Sequence, residues 1–266
     1  MTIYQKMDNE FYITLASNLY TTEFPNNNIS YFQTPLYSPL QLDTNEWYVG
    51  LAEIILPDTW YNIKTKDKKI TFRHKGRTPQ TLYLEEGYYS PKQFVKELQA
   101  KIDTATRQKP NATTKPCNVT YDIESGIITI NICSGSQLLL SKQLSTKLGF
   151  KQKVTFTEGE NVADTICDLD NNCHIIFIYS NIVSETMLGN EFVKLLRTIA
   201  TPSTLNHYLT QPIQYTTLTF DKPHYKKVST SFENKIDIAL VDSNGEPFVF
   251  KKGEAHVTLH FKRMKK

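Results

Sequence analysis

Two runs of alternating hydrophobic residues near the C-terminus leave this chain little freedom in what it can fold into. Ile236, Ile238 and Leu240 fall on one side of an extended segment, and Val257, Leu259 and Phe261 fall on one side of another. A period of two is the spacing of side chains on one face of a β-strand. Asp242 to Gly245 reads as the turn between the two strands, and Lys252-Gly253 as a second break. The expectation is a sheet closed by its last strand, followed by a short basic tail of Lys262, Arg263, Met264, Lys265 and Lys266. That is how a β-sandwich ends, and such an ending rarely presents an active site.

With 266 residues, 39% of them hydrophobic, the chain can bury a substantial core in one large all-β domain or two smaller ones. Lys and Arg number 30 against 27 Asp and Glu, and they are dispersed except at the C-terminus, which argues against a dedicated duplex-binding protein. The basic tail leaves a weak contact with a genome open. Fifteen Tyr and fourteen Phe favour strands, and tyrosine also serves interfaces because it joins apolar area to a hydroxyl. Cys117, Cys133, Cys167 and Cys173 have no tight pair spacing and follow no secretory signal, so they read as reduced thiols of an intracellular product. The glycosylation triplets at Asn28, Asn111 and Asn118 then go unused, and no run is long enough to span a membrane.

Along the chain, short strands are expected at Phe11 to Leu15 and Tyr31 to Thr34, separated by a Pro-Asn loop over 18–30. The strongest N-terminal strand is Glu46 to Pro57, with Trp47, Val49, Leu51 and Glu53 on one face and Tyr48, Gly50, Ala52 and Ile54 on the other. Strands follow at Lys69 to Arg73 and Gln80 to Leu84. A helix then starts with Ser90 as N-cap, Pro91 at N1, Gln93 completing a capping box and Tyr89 stapling Phe94; Phe94, Leu98 and Ile102 are its buried stripe, with Val95 beside it. The polar stretch 103–116 is the expected flexible loop. Asn118 to Ile123 and Ile127 to Ile132 form a hairpin, and Ser141 opens a short helix ending at Gly149, where Phe150 folds back on Leu144 in a Schellman motif. Further strands are expected near Val154 to Phe156, Cys173 to Tyr179, Tyr215 to Phe220 and His224 to Val228. The piece from Val183 to Ile199 fits a helix by spacing or, from Phe192 onward, a strand. With about ten or more strands, two helices and no βαβ alternation, an all-β sandwich with short helical insertions is predicted.

Six blocks resemble the single jelly-roll minor capsid, or penton, proteins of Polinton/Maverick elements and adintoviruses. They are Phe11-Tyr-Ile-Thr-Leu15 with Phe24-Pro-Asn-Asn27; Trp47 to Ile54 with Pro57 and Trp60-Tyr-Asn62; Gly87-Tyr-Tyr-Ser90; Leu148-Gly-Phe150; Ile178 to Val183 with Gly189-Asn190 and Leu195-Leu-Arg197; and Gly245-X-Pro-X-X-Phe250 with Leu259-His-Phe261. Asn181 and Asn190 stand where acidic residues are more usual in that family.

The resemblance implies one jelly-roll capsid domain over 1–266, with a mobile arm at about 1–9 and the basic tail at 262–266. It also implies a virion protein forming homopentamers at icosahedral vertices beside a double jelly-roll major capsid protein, assembled inside the host cell, in the nucleus. Enzymatic activity and a cofactor are not implied. A five-fold ring uses a heterologous interface, so both flanks of the subunit must be complementary. Trp47, Trp60, Tyr61, Tyr88 and Tyr179 are the candidate anchors of that contact, Trp47 being the one most suited to the core.

Residue chemistry points elsewhere only weakly. His256, Thr258 and His260 share a face of the last strand without a third ligand, and Cys167, Cys173, His174, Asp168 and Asp170 fit no common zinc or calcium spacing. No glycine-rich phosphate loop or nucleophile elbow is present in the sequence. Two rival readings remain: a non-enzymatic binding or spike module with its specificity in loops 18–30 and 103–116, and a single-strand nucleic-acid binder using Lys64, Lys66, Lys68, Lys69 and Arg73.

Overall fold

A computed structural model describes residues 9–107, 115–151, 153–171, 173–201 and 213–264. Most of the expected N-terminal arm, the end of the basic tail and the middle of the 103–116 loop lie outside the described residues. The first strands are β1 (Glu10–Ala16), β2 (Tyr31–Gln41), β3 (Trp47–Pro57), β4 (Lys69–His74) and β5 (Gln80–Tyr83). Helix α1 (Pro91–Thr106) is followed by β6 (Cys117–Tyr121), β7 (Ile128–Ile132) and β8 (Ser136–Leu140). Then come α2 (Lys142–Lys147), β9 (Thr155–Phe156), β10 (Gly159–Val162), β11 (Ile175–Ser180), β12 (Thr186–Leu188), β13 (Glu191–Val193) and β14 (Leu195–Ala200). The chain finishes with β15 (Tyr215–Thr219), β16 (Lys226–Lys227), β17 (Phe232–Val241) and β18 (His256–Arg263). Two compact units result: Met1–Trp60 with Asn172–Lys266, and Tyr61–Asn171, which is inserted in the sequence between β3 and β11.

The first unit has two main antiparallel sheets, β1-β18-β3-β15 with β16 also on β3, and β14-β11-β17-β2, besides the separate two-stranded β12-β13. Its eight principal strands pair first with last (β1 and β18), second with seventh (β2 and β17), third with sixth (β3 and β15) and fourth with fifth (β11 and β14). A long hairpin rolled into two sheets gives this order, and it is the jelly roll. Here Ile236, Ile238, Leu240, Val257, Leu259 and Phe261 are all fully buried, as their alternation predicts. The turn at Asp242 is also present, closed by the Gly245 amide on the Asp242 carbonyl at 3.0 Å. It does not make β17 and β18 a hairpin, because the two strands belong to different sheets. The last strand instead lies between the first and the third, with Phe11 opposite Phe261 and Ile13 opposite Leu259.

Strand β3 departs from simple alternation. Leu51 faces Leu259 and Glu53 faces Thr258, so Ala52 is an extra residue, a β-bulge. Side chains beyond it change face: Trp47, Val49 and Leu51 are buried, then Ile54 and Leu56. Glu53 is thereby turned outward beside Thr258, whereas strict period two would put it with Leu51. Strand β2 is longer than expected. It continues past Pro35 and Pro39, which is tolerated because β2 is an edge strand that need not donate on its free side. The ambiguous piece after Val183 is extended, as β12, β13 and β14.

In the second unit, α1 begins as its sequence predicts. Ser90 caps it, the Gln93 amide and side chain complete the capping box, Pro91 occupies the first turn, and the Tyr89 ring meets Phe94 edge-on at 6.1 Å. Phe94, Leu98 and Ile102 are fully buried in a core shared with strands of the sheets β5-β4-β8-β9 and β10-β7-β6. Helix α2 ends in the expected Schellman motif: the Phe150 amide donates to the Ser145 carbonyl and the Gly149 amide to Thr146, both at 3.0 Å. Gly149 has φ +91°, and a Cβ there would lie 2.1 Å from the Thr165 carbonyl oxygen. Strands β8 and β10, which the sequence does not announce, complete the two sheets.

Candidate functional site

The five aromatic anchor candidates divide by burial. Trp47 on β3 and Trp60 just after it are each 6% exposed. Trp47 packs near Phe11 at 5.4 Å. Trp60 is as deeply placed despite following the Pro57 break, because it bridges to Phe250 and packs on Phe248 at 5.8 Å. Tyr179 on β11 is half-buried, and burial followed by the nearby Glu191 charge raises its hydroxyl pKa.

Tyr61 and Tyr88 are half-buried in the second unit, where Tyr88 belongs to a polar network. Asn62, fully buried, donates to the Tyr89 carbonyl at 2.8 Å and to Asp170 Oδ1 at 2.9 Å, and it accepts the Tyr89 amide at 2.9 Å. Lys147 donates to the Asn62 carbonyl at 2.5 Å and to Asp67 Oδ2 at 2.7 Å. Burial pushes the Tyr88 hydroxyl up to about 12, with the Asp170 charge and hydrogen bond adding to it. Burial, and then Glu86, raises Tyr61. The Trp60-Tyr-Asn62 and Gly87-Tyr-Tyr-Ser90 blocks thus contribute to cores and to a polar clamp.

The nominated chemical clusters take up structural contacts. All four cysteines are free. Burial drives the Cys117 and Cys167 thiols up to about 12, Asp103 and Asp168 being the next causes respectively, so neither is a thiolate nucleophile at neutral pH. His256 pairs with Glu254 at 3.0 Å, and the His260 ring is stacked on Tyr12 at 4.2 Å with Nδ1 2.8 Å from the Tyr225 hydroxyl. Among the described residues no group of three or more His, Cys, Asp or Glu is placed to hold a metal ion. No described helix is long and apolar enough to cross a membrane. In the lysine-rich segment, Lys68 pairs with Glu86 at 2.7 Å, and Ile70 and Phe72 are buried.

What the first unit leaves open is its two flanks. On one, edge strand β2 carries Tyr37, which is fully exposed, and edge strand β1 carries the exposed Tyr12. Pro35 and Pro39 deprive the free side of β2 of amide donors, which blunts strand addition and leaves side chains to make any contact there. Toward the other flank, Met187 and Phe192 are directly opposed on the β12–β13 hairpin and both are 67% exposed, and Tyr215 on edge strand β15 is exposed as well. Sequence reasoning missed these residues because exposed and buried aromatics share one composition; only the alternation Phe11-Tyr12-Ile13 hinted that Tyr12 faces outward.

No protein-family model matches this chain. No curated protein matches it either. Among solved structures, the chain is similar to the mavirus penton protein, in a crystal structure of its selenomethionine-labelled form, with TM-score 0.49, 11% identity and coverage of 97% of this chain and 100% of that one. It is also similar to a chain in the 3.5 Å cryo-EM structure of the Sputnik virophage, with TM-score 0.43, 10% identity and coverage of 97% and 98%.

Proposed function

We propose that this chain is a structural virion protein, a penton-type minor capsid protein that assembles as a homopentamer at the vertices of an icosahedral capsid. The observation that carries the reading is the chain's own strand order, first with last through to fourth with fifth, the jelly-roll order that capsid proteins use along with lectins and cupins. The exposed flanks favour the capsid use. A five-fold ring needs one flank of each subunit to meet the opposite flank of the next, and this roll carries exposed apolar side chains at Tyr12 and Tyr37 on one side and at Met187, Phe192 and Tyr215 on the other. A stable contact buries about 1,200–2,000 Å² in total, within reach of a 30.7 kDa subunit.

The resemblance to Polinton/Maverick and adintovirus pentons supplies the finer reading: a double jelly-roll major capsid protein around each vertex, a virion location after assembly in the host nucleus, a genome contact limited to the basic tail, and no enzymatic step. Tyr61, Tyr88 and Tyr179, all half-buried, and Trp47 and Trp60, both buried, are the further interface candidates. The test is the solution mass of the full-length chain beside that of its Tyr37→Glu and Phe192→Glu variants. Both substitutions leave the core untouched, and each is expected to reduce a pentameric mass toward that of the monomer.

A further inference from the structure

The capsid reading leaves the lysine-rich stretch of the second unit without a role, and the structure divides its cations. Lys68 is paired with Glu86 at 2.7 Å. Lys69, Arg73, Lys75 and Arg77 are exposed, and among the described residues none of these four has an ion pair. From Tyr61 through Leu84 the sequence has a single acid, Asp67, and it is buried against Lys147. One hairpin gathers the surplus charge. Ile70 and Phe72 enter the core of the unit, so Lys69 and Arg73 stand on the opposite, outward face of β4, about 13 Å apart along the strand. Lys75 and Gly76, with φ 42° and 71°, form the two-residue turn, closed by the Arg77 amide on the His74 carbonyl at 3.0 Å. The turn sets Lys75 and Arg77 at the end of the hairpin next to Arg73. His74 registers the field there: burial first, then the charges of Lys75 and Arg77, lower its pKa.

The remainder of this outward face is neutral. Thr81 lies opposite Thr71, Thr71 opposite Leu139, and Leu139 opposite Thr155, so hydroxyls run in a row across β5-β4-β8-β9. Gln137 lies opposite Arg73, and the exposed Tyr83 opposite Lys69. No acid occupies a position on these four strands. Glu85 and Glu158 come only after β5 and β9, the two edge strands, and Glu85 lies 4.0 Å from Lys101.

We infer that the outward face of the β5-β4-β8-β9 sheet binds a linear sulfated glycan. Charge complementarity requires a polyanion, because four cations without counter-charges face solvent along one hairpin. Sulfate esters take the guanidinium forks of Arg73 and Arg77 and the ammonium groups of Lys69 and Lys75. The threonine row and Gln137 supply donors and acceptors for sugar hydroxyls, and the Tyr83 ring supplies a flat surface for the C–H face of a sugar. A single-stranded nucleic acid fits less well, since its bases stack on successive rings and Tyr83 is the one aromatic residue on the outward positions of these strands. The inference goes beyond the proposed capsid role, since it concerns the second unit rather than the flanks of the roll.

The probe is a fluorescein-labelled heparin octasaccharide, titrated by anisotropy against the full-length chain over a range of salt concentrations, with a desulfated octasaccharide and an oligothymidylate of matching length as comparisons. The sulfated probe is expected to bind, with affinity falling as salt rises. The double variant Arg73→Gln with Arg77→Gln is expected to bind about tenfold more weakly or worse and with a shallower salt dependence, while its thermal melting stays as in the wild type. Lys265→Gln with Lys266→Gln, which removes charge from the basic tail instead, is expected to bind as the wild type does. No binding to the wild type, wild-type affinity in the Arg73 and Arg77 variant, or a loss confined to the tail variant overturns the site. Equal binding of the desulfated probe overturns recognition through sulfate, and equal binding of the oligothymidylate overturns the assignment to a glycan.

Discussion

Lys147 and Asp67 form an ion pair of 2.7 Å with side chains only 7% and 4% exposed, and the same ammonium holds the carbonyl of Asn62. The pair fastens α2 to the segment that opens the second unit. Removing one partner of a buried pair strands the other charge, at a cost of about 3–5 kcal/mol, whereas replacing both with apolar groups of similar volume is often neutral. Lys147→Met is therefore expected to lower stability by about that amount, and Lys147→Met with Asp67→Leu to recover most of it. Urea unfolding of the two variants beside the wild type checks this; an unchanged midpoint in the single variant contradicts it.

Gly149 is where the backbone leaves no room. Its φ of +91° and the 2.1 Å approach of the Thr165 carbonyl make Gly149→Ala both strained and overpacked, an expected loss of at least about 2 kcal/mol. Gly76 has φ +71° but nothing within 4 Å, so Gly76→Ala meets only the left-handed cost of about 1–2 kcal/mol. Thermal melts are expected to rank Gly149→Ala below Gly76→Ala, and the reverse order would contradict the geometry.

The Glu233 carboxyl gives a pH dependence of known sign. Burial raises its pKa first, with Asp237 adding and Lys194 and Lys235 opposing. A carboxyl with a raised folded pKa binds its proton more tightly in the folded state, so its contribution to stability is present at low pH and is lost as pH rises through the raised value. Glu233→Gln is expected to be the more stable form near neutrality, its advantage shrinking on acidification through the carboxylate range. A neighbouring amide fits this setting: Asn181 donates to the Lys235 carbonyl at 3.1 Å and accepts the Asp237 amide at 2.8 Å, and an aspartate there would lose the donor beside Glu233. Denaturant midpoints of wild type and Glu233→Gln from neutral pH into the acid range measure the difference, and parallel curves contradict it.

Cysteine reactivity separates exposed from buried thiols. Cys133 is exposed, whereas Cys117 and Cys173 are buried and Cys117 and Cys167 are held protonated up to about 12. Brief iodoacetamide treatment of the native chain at mildly alkaline pH is expected to modify Cys133 first, the others following only in denaturant. Peptide mass spectrometry reads the order, and early labelling of Cys117 would contradict the fold of the second unit.

What was legible in the sequence was local. The α1 start, from Tyr89 to Phe94, and the Gly149 stop rest on hydrogen bonds between residues at most five apart, so residue type specifies them. The buried faces of β17 and β18 were legible for the same reason, as alternation needs no partner. Ala52 was not, because a bulge is defined by what lies opposite, and its partner strand is some two hundred residues away in the chain. Strands β8 and β10 were missed because Ser136-Gln-Leu-Leu-Leu140 and Gly159-Glu-Asn-Val162 show no clean alternation and become strands through β4 and β7. The same limit applied to the assembly surface. Trp60 and Tyr37 are equally plausible anchors by type, and only long-range packing buries one under Phe248 and leaves the other in solvent.

The central claim is self-assembly through the two flanks of the roll, and the solution mass of the purified full-length chain by light scattering, at low and physiological salt, tests it most directly. The account predicts a particle five times the 30.7 kDa chain mass. A folded monomer under both conditions would contradict it.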